Sequence, residues 1–112
     1  MTAPAFELSY LPVGSGPVIR ELDPNRGNAS GGEEVTIWGH YLAGVYEVHF
    51  GGKVLTGNDI TVDQKNGYFV KVNRTPPGTA GSSVPVYVVS RDSGGHSTPS
   101  NTLWYQYDTP AQ

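Results

Sequence analysis

The chain has 112 residues, 15 of them Gly and 9 Pro, and no Cys, with a formal net charge of −3. That length predicts one domain, and the lack of cysteine excludes a disulfide-stapled fold, thiol chemistry and a Cys-based zinc site, so the core has to hold by packing alone. The seven Lys and Arg are scattered, from Arg20 and Arg26 through Lys53, Lys65, Lys71 and Arg74 to Arg91. Neither the basic stripe that a phosphate backbone needs nor a polybasic membrane-binding segment is present, so no nucleic-acid partner and no membrane partner is expected.

In chain order, residues 1–16 read as an extended arm. Phe6, Leu8 and Tyr10 alternate with Glu7 and Ser9, and Pro12-Val13-Gly14-Ser15-Gly16 is a turn-rich break. Met1-Thr2-Ala3-Pro4 lacks the basic n-region of a signal peptide, and no apolar run approaches 20 residues. If Met1 is the natural start, synthesis in the cytoplasm without export by that route is expected.

Residues 17–108 read as a β-sandwich, with residues 109–112 as a flexible tail. Val18 to Leu22 forms a first strand, closed by Pro24, and Asn25 to Gly32 a loop. Glu34 to Trp38 forms a second strand with Val35 and Ile37 inward. Val45 to Phe50 follows, with Tyr46, Val48 and Phe50 inward, and Gly51-Gly52 turns the chain into Lys53 to Leu55. Ile60 and Val62 mark a short strand before the Asn66-Gly67 turn. Tyr68 to Asn73 places Tyr68, Val70 and Val72 inward. Pro76-Pro77-Gly78 marks a crossover to the other sheet. Ser83 to Ser90 turns Val84, Val86 and Val88 inward, Arg91 to Asn101 is a loop, and Leu103 to Tyr107 turns Leu103, Tyr105 and Tyr107 inward. No window sustains a helical period.

The order of these features resembles the IPT/TIG family of immunoglobulin-like domains. Pro17, Ile19, Leu22, Pro24 and Gly27 match its opening, and Gly31, Gly32, Val35, Ile37, Gly39 and Leu42 the next segment. Val48, Phe50, Gly51 and Gly52 match its V-x-F-G-G signature. Pro76, then Val84, Pro85, Val86 and Val88, then Tyr105 and Tyr107, complete the pattern. The resemblance implies an all-β, immunoglobulin-like fold of the early-set type, a two-sheet antiparallel sandwich of seven to eight strands. Some relatives bind DNA, but the charge of this chain argues against that partner. The family fold does not itself specify a function.

Candidate chemistry is sparse, and an enzyme, a cofactor or a metal site is not expected. His40, His49 and His96 share no metal-binding spacing, and Asp92-Ser93-Gly94-Gly95-His96 reads as a polar loop rather than a nucleophilic triad. Asp59, Asp63, Glu33 and Glu34 lack the spacing of a calcium loop and read as turn residues. Asn28-Ala29-Ser30 and Asn73-Arg74-Thr75 are formal glycosylation sequons that arise readily by chance.

The remaining signal is outward apolar surface. Strand parity turns Trp38 and Phe69 out of one sheet, where Trp38 is expected to be covered by the first strand, the arm or a loop. It turns Val45, His49, Tyr87, Val89 and Trp104 out of the other. Phe6, Leu8, Tyr10, Tyr87 and Trp104 are the expected partner contacts. The arm is read as docking on a partner chain and as undocked in the free monomer.

Two functions follow as expectations. One is a bacteriophage virion protein, made in bacterial cytoplasm, that decorates a capsid or tail lattice, with a homo-oligomer as a further expected partner arrangement. The alternative is an extracellular module that binds carbohydrate or a cell surface, with Tyr87 and Trp104 stacking on sugar rings.

Overall fold

The computed structural model describes residues 16–109, which form an all-β sandwich of ten strands. The expected contacts Phe6, Leu8 and Tyr10 lie outside the described residues, as do all of the arm except Gly16 and all of the tail except Thr109.

The strands are β1 (Val18–Asp23), β2 (Arg26–Asn28), β3 (Val35–His40), β4 (Val45–Phe50), β5 (Lys53–Leu55), β6 (Ile60–Val62), β7 (Phe69–Val72), β8 (Ser83–Arg91), β9 (Ser97–Pro99) and β10 (Leu103–Asp108). One sheet runs β1-β3-β7-β6, and the other runs β2-β10-β8-β4-β5 with β9 also paired to β8. No helix among the described residues is long and apolar enough to cross a membrane.

The alternating pattern builds this core directly. Val35, Ile37, Val70 and Val72 from one sheet meet Val48, Phe50, Val86, Val88, Tyr105 and Tyr107 from the other, all buried. Ile19, Leu22, Leu42 and Ile60 close the ends. Burying side chains of this size contributes about 1.5–3 kcal/mol each, which is what a cysteine-free domain has to rely on. The β4–β5 hairpin turns at Gly51 and Gly52, with φ of 62° and 104°. Two consecutive positive φ values make the primed turn that matches strand twist, and two glycines adopt it without a Cβ penalty.

Several expectations are corrected. Ten strands replace seven to eight, because two loops contain short ones. β2 lies within Asn25 to Gly32 and pairs parallel to β10, and β9 lies within Arg91 to Asn101 and pairs with β8. Val45 faces the core rather than solvent, and Tyr46 is only half-buried. The cause is a register shift between Val45 and Glu47 opposite β8, where Tyr46 is the extra residue and inverts the parity behind it. Tyr68 is exposed because it precedes β7, in a turn where its N–H donates to Asp63 Oδ2 at 3.0 Å. Val84 and Leu103 are half-buried at the rim of the core. Val89, outward by parity, is nevertheless buried, opposite Pro99 and Glu47 in the ladder.

Candidate interaction surface

The outer face of the six-stranded sheet carries the expected contacts Tyr87 and Trp104. The register aligns Val54 with His49, and His49 with Tyr87, so one row crosses β5, β4 and β8. Trp104 on β10 is opposite Pro85, which puts it diagonal to Tyr87 on the same face. The His49 and Tyr87 rings stack at 4.5 Å with 9° between their planes. His49 Nε2 is 3.0 Å from Glu47 Oε1, which orients the imidazole. Trp104 is 61% exposed and Val54 49%. At one end the Arg91 guanidinium lies 4.0 Å from the Tyr46 ring centroid, and Tyr46 Oη is 2.8 Å from Ser97 Oγ. The result is a stripe of rings and aliphatic groups with charged groups at its rim, the anatomy of a docking surface.

The opposite sheet holds a second aromatic group that parity placed outward but that was expected to be covered. Trp38 is 41% exposed, and its ring meets Phe69 edge-on at 5.7 Å. His40 stands between Tyr41 and Tyr68, at 6.4 and 6.0 Å, with Arg20 Nη1 3.3 Å from its Nε2. Tyr41 was not singled out from sequence, and Tyr68 was expected in the core. Tyr41 carries a positive φ of 62°, which no alternation pattern announces.

A family model for the IPT/TIG domain matches residues 17–107. The chain belongs to the IPT/TIG family. No curated protein matches it. TIG domains are generally non-catalytic immunoglobulin-like modules that mediate protein–protein interactions.

The polar residues of this TIG domain are engaged in turns. Asp92 Oδ1 accepts the N–H groups of Gly94 and His96, both at 2.9 Å. The His96 amide, more than any other neighbour, holds the Asp92 carboxyl below its ordinary value. Its carboxylate shapes the loop, and no base is hydrogen-bonded to Ser93 among the described residues. Asp63 accepts from Tyr68 and Asn66, and these bonds hold its carboxyl below the usual range, Tyr68 contributing most. Asp59 Oδ2 accepts from Thr56, and Glu33 Oε1 from Asn28. His40 and His49 lie on opposite faces and His96 in a loop. No group of three metal-ligating side chains occurs among the described residues. The sequon residue Asn73 uses its amide internally, donating to the Asn58 carbonyl and accepting from Thr61 Oγ1.

Proposed function

We propose that this TIG domain is a structural module of a bacteriophage virion, made in the bacterial cytoplasm and docked on a capsid or tail lattice. The observation that carries the docking is the stripe Val54–His49–Tyr87–Trp104, exposed at Val54 and Trp104 and half-buried at His49 and Tyr87. His49 and Tyr87 within it are already ordered by their cross-strand stacking, so little entropy is lost at these two when a partner covers them. Phe6, Leu8 and Tyr10 belong to the same proposed contact. A core without disulfides supports assembly in a reducing compartment. The test is mass spectrometry of purified particles together with the neighbouring reading frames. Stoichiometric copies in the particle and adjacent capsid or tail genes are expected, and a long secreted reading frame running through this segment would refute the proposal.

The exposure of Trp104 beside the stacked Tyr87 favours one second reading, an extracellular carbohydrate- or cell-surface-binding module, because an open indole face stacks on sugar rings. Quenching or a shift of Trp104 fluorescence by soluble oligosaccharides, lost in Trp104→Ala, would support it over the virion reading.

A further inference from the structure

Gly16 and Thr109, where the described chain starts and stops, stand at opposite ends of the sandwich. A Cβ on Gly16 would lie 3.0 Å from Thr98 Cγ2, and Thr98 pairs with Ser90 near the far end of β8. A Cβ on Gly81 would lie 3.4 Å from Thr109 Cγ2, and Gly81 leads into β8 at its Ser83 end. β8 has nine residues, so the two ends are about 30 Å apart along an extended strand. Tension that enters at residue 16 and leaves at residue 109 therefore runs along the strands.

The strands next to those ends are tied so that such tension slides them rather than peels them. β1 is antiparallel to β3, from Val18 opposite His40 to Asp23 opposite Thr36. Drawn from its Val18 end, β1 moves along its own axis, which loads its ladder bonds together. β2 is parallel to β10, with Arg26, Gly27 and Asn28 beside Gln106, Tyr107 and Asp108. β2 is reached from residue 16 and β10 leads out to residue 109, so the two members of this pair are drawn in opposite directions along one axis. The Arg26 guanidinium, 2.7 Å from Asp108 Oδ1, bridges the same pair.

A side chain adds a third tie. Asn101 Oδ1 accepts from Ile19 N–H, and Asn101 Nδ2 donates to Ile19 C=O, both at 2.8 Å. These bonds close the outer edge of β1 in the four-stranded sheet. They also fasten β1, the strand nearest one end, to the chain entering β10, the strand nearest the other.

We propose that this domain carries tension between its two ends. The β1–β3 ladder, the β2–β10 pair and the Asn101–Ile19 clasp act as one mechanical clamp that has to break as a unit. This is a function beyond docking and does not depend on the docking surface.

The test is single-molecule pulling of the full chain in two geometries. One pair of handles is joined to the two chain ends. The other joins the C-terminal end to a thiol handle at Ala80→Cys, the only thiol in a chain without cysteine. Ala80 adjoins Gly81, at the same end of the sandwich as Thr109, so this second pull peels β10 from its antiparallel neighbour β8. Forced unfolding reads the unfolding barrier rather than equilibrium stability. At one loading rate the end-to-end pull is expected to need at least about two-fold more force than the Ala80 pull, because many bonds of modest individual worth have to break together instead of one after another. Asn101→Ala is expected to lower the end-to-end force and to leave the Ala80 force unchanged. Ser100→Ala is the control: it deletes the acceptor of the Val88 N–H, a 2.9 Å bond of the same kind that holds neither β1 nor β2, and is expected to spare the end-to-end force. Equal forces in the two geometries overturn the proposal, and that comparison needs no clamp variant. An Asn101→Ala variant, folded by its Tm, that keeps the full end-to-end force, or that lowers both forces alike, also overturns it.

Discussion

Tyr105 and Tyr107 stand two residues apart on β10, both buried, and the same one-atom deletion is expected to act on them with opposite sign. The Tyr105 ring packs edge-on between Phe50 at 5.0 Å and Tyr107 at 5.4 Å. Its hydroxyl is buried without a hydrogen-bond partner among the described residues, close to Gly27 and the Glu33 carboxylate. Tyr107 Oη donates to the Pro76 carbonyl at 2.6 Å. Replacing Tyr107 by Phe removes a made bond and leaves that carbonyl short of a donor, at a cost of about 1 kcal/mol. Replacing Tyr105 by Phe keeps every ring contact and removes a desolvated hydroxyl, a gain of about 1 kcal/mol or more. The two variants therefore separate by roughly 2 kcal/mol, or about 8–16 °C in Tm for a domain of this size. Thermal and urea unfolding followed by circular dichroism reads the difference. A Tyr105→Phe variant as destabilised as Tyr107→Phe would refute the reasoning, because it would mean the hydroxyl is bonded, with Glu33 as the partner.

The same hydroxyl sets an alkaline limit: burial first, then the Glu33 charge, pushes the Tyr105 pKa from 10.0 up to about 12. The folded state keeps a proton that the unfolded state loses, so this contribution is full below about pH 10 and is lost as pH rises to about 12. Unfolding midpoints at increasing pH, in the unmodified chain and Tyr105→Phe, are expected to show the shallower alkaline loss in the variant. Phe50→Ala is expected to cost roughly 3–5 kcal/mol by equilibrium unfolding, as for a fully buried aromatic. Gly39→Ala is expected to cost at least about 1–3 kcal/mol, because its Cβ would overlap the Val18 carbonyl oxygen of the adjacent strand, which cannot rotate away. Duplex DNA at physiological salt is expected to give no binding in an anisotropy titration, and tight salt-dependent binding would contradict the charge argument.

The sandwich was legible where alternation runs unbroken. Val35, Ile37, Val48, Phe50, Val86 and Val88 were all expected in the core and all are buried there. Legibility failed where a single residue breaks the period. The extra residue Tyr46 in β4 turns Val45 inward, and nothing in Val-Tyr-Glu-Val marks the bulge. β2 and β9 consist of Arg-Gly-Asn and Ser-Thr-Pro, polar segments recruited as edge strands by neighbours rather than by their own propensity. Trp38 illustrates a further gap: parity gave its direction, but only the assembled sheet shows that no described segment covers it. Tyr87 and Trp104 were found because outward aromatics on a regular strand are readable. The Asn101–Ile19 clasp depends on which strands the fold brings together, and that is a property of the assembled sandwich rather than of any one segment.

The central claim is that partners bind the outer face of the six-stranded sheet. Its most direct test is co-sedimentation with purified particles of the double variant Tyr87→Ala/Trp104→Ala, compared with Trp38→Ala/Phe69→Ala on the opposite face, both checked for unchanged Tm. The account predicts that the first variant stays in the supernatant while the second sediments like the unmodified protein. Retained sedimentation of the first with loss of the second would place the docking surface on the four-stranded sheet and contradict it.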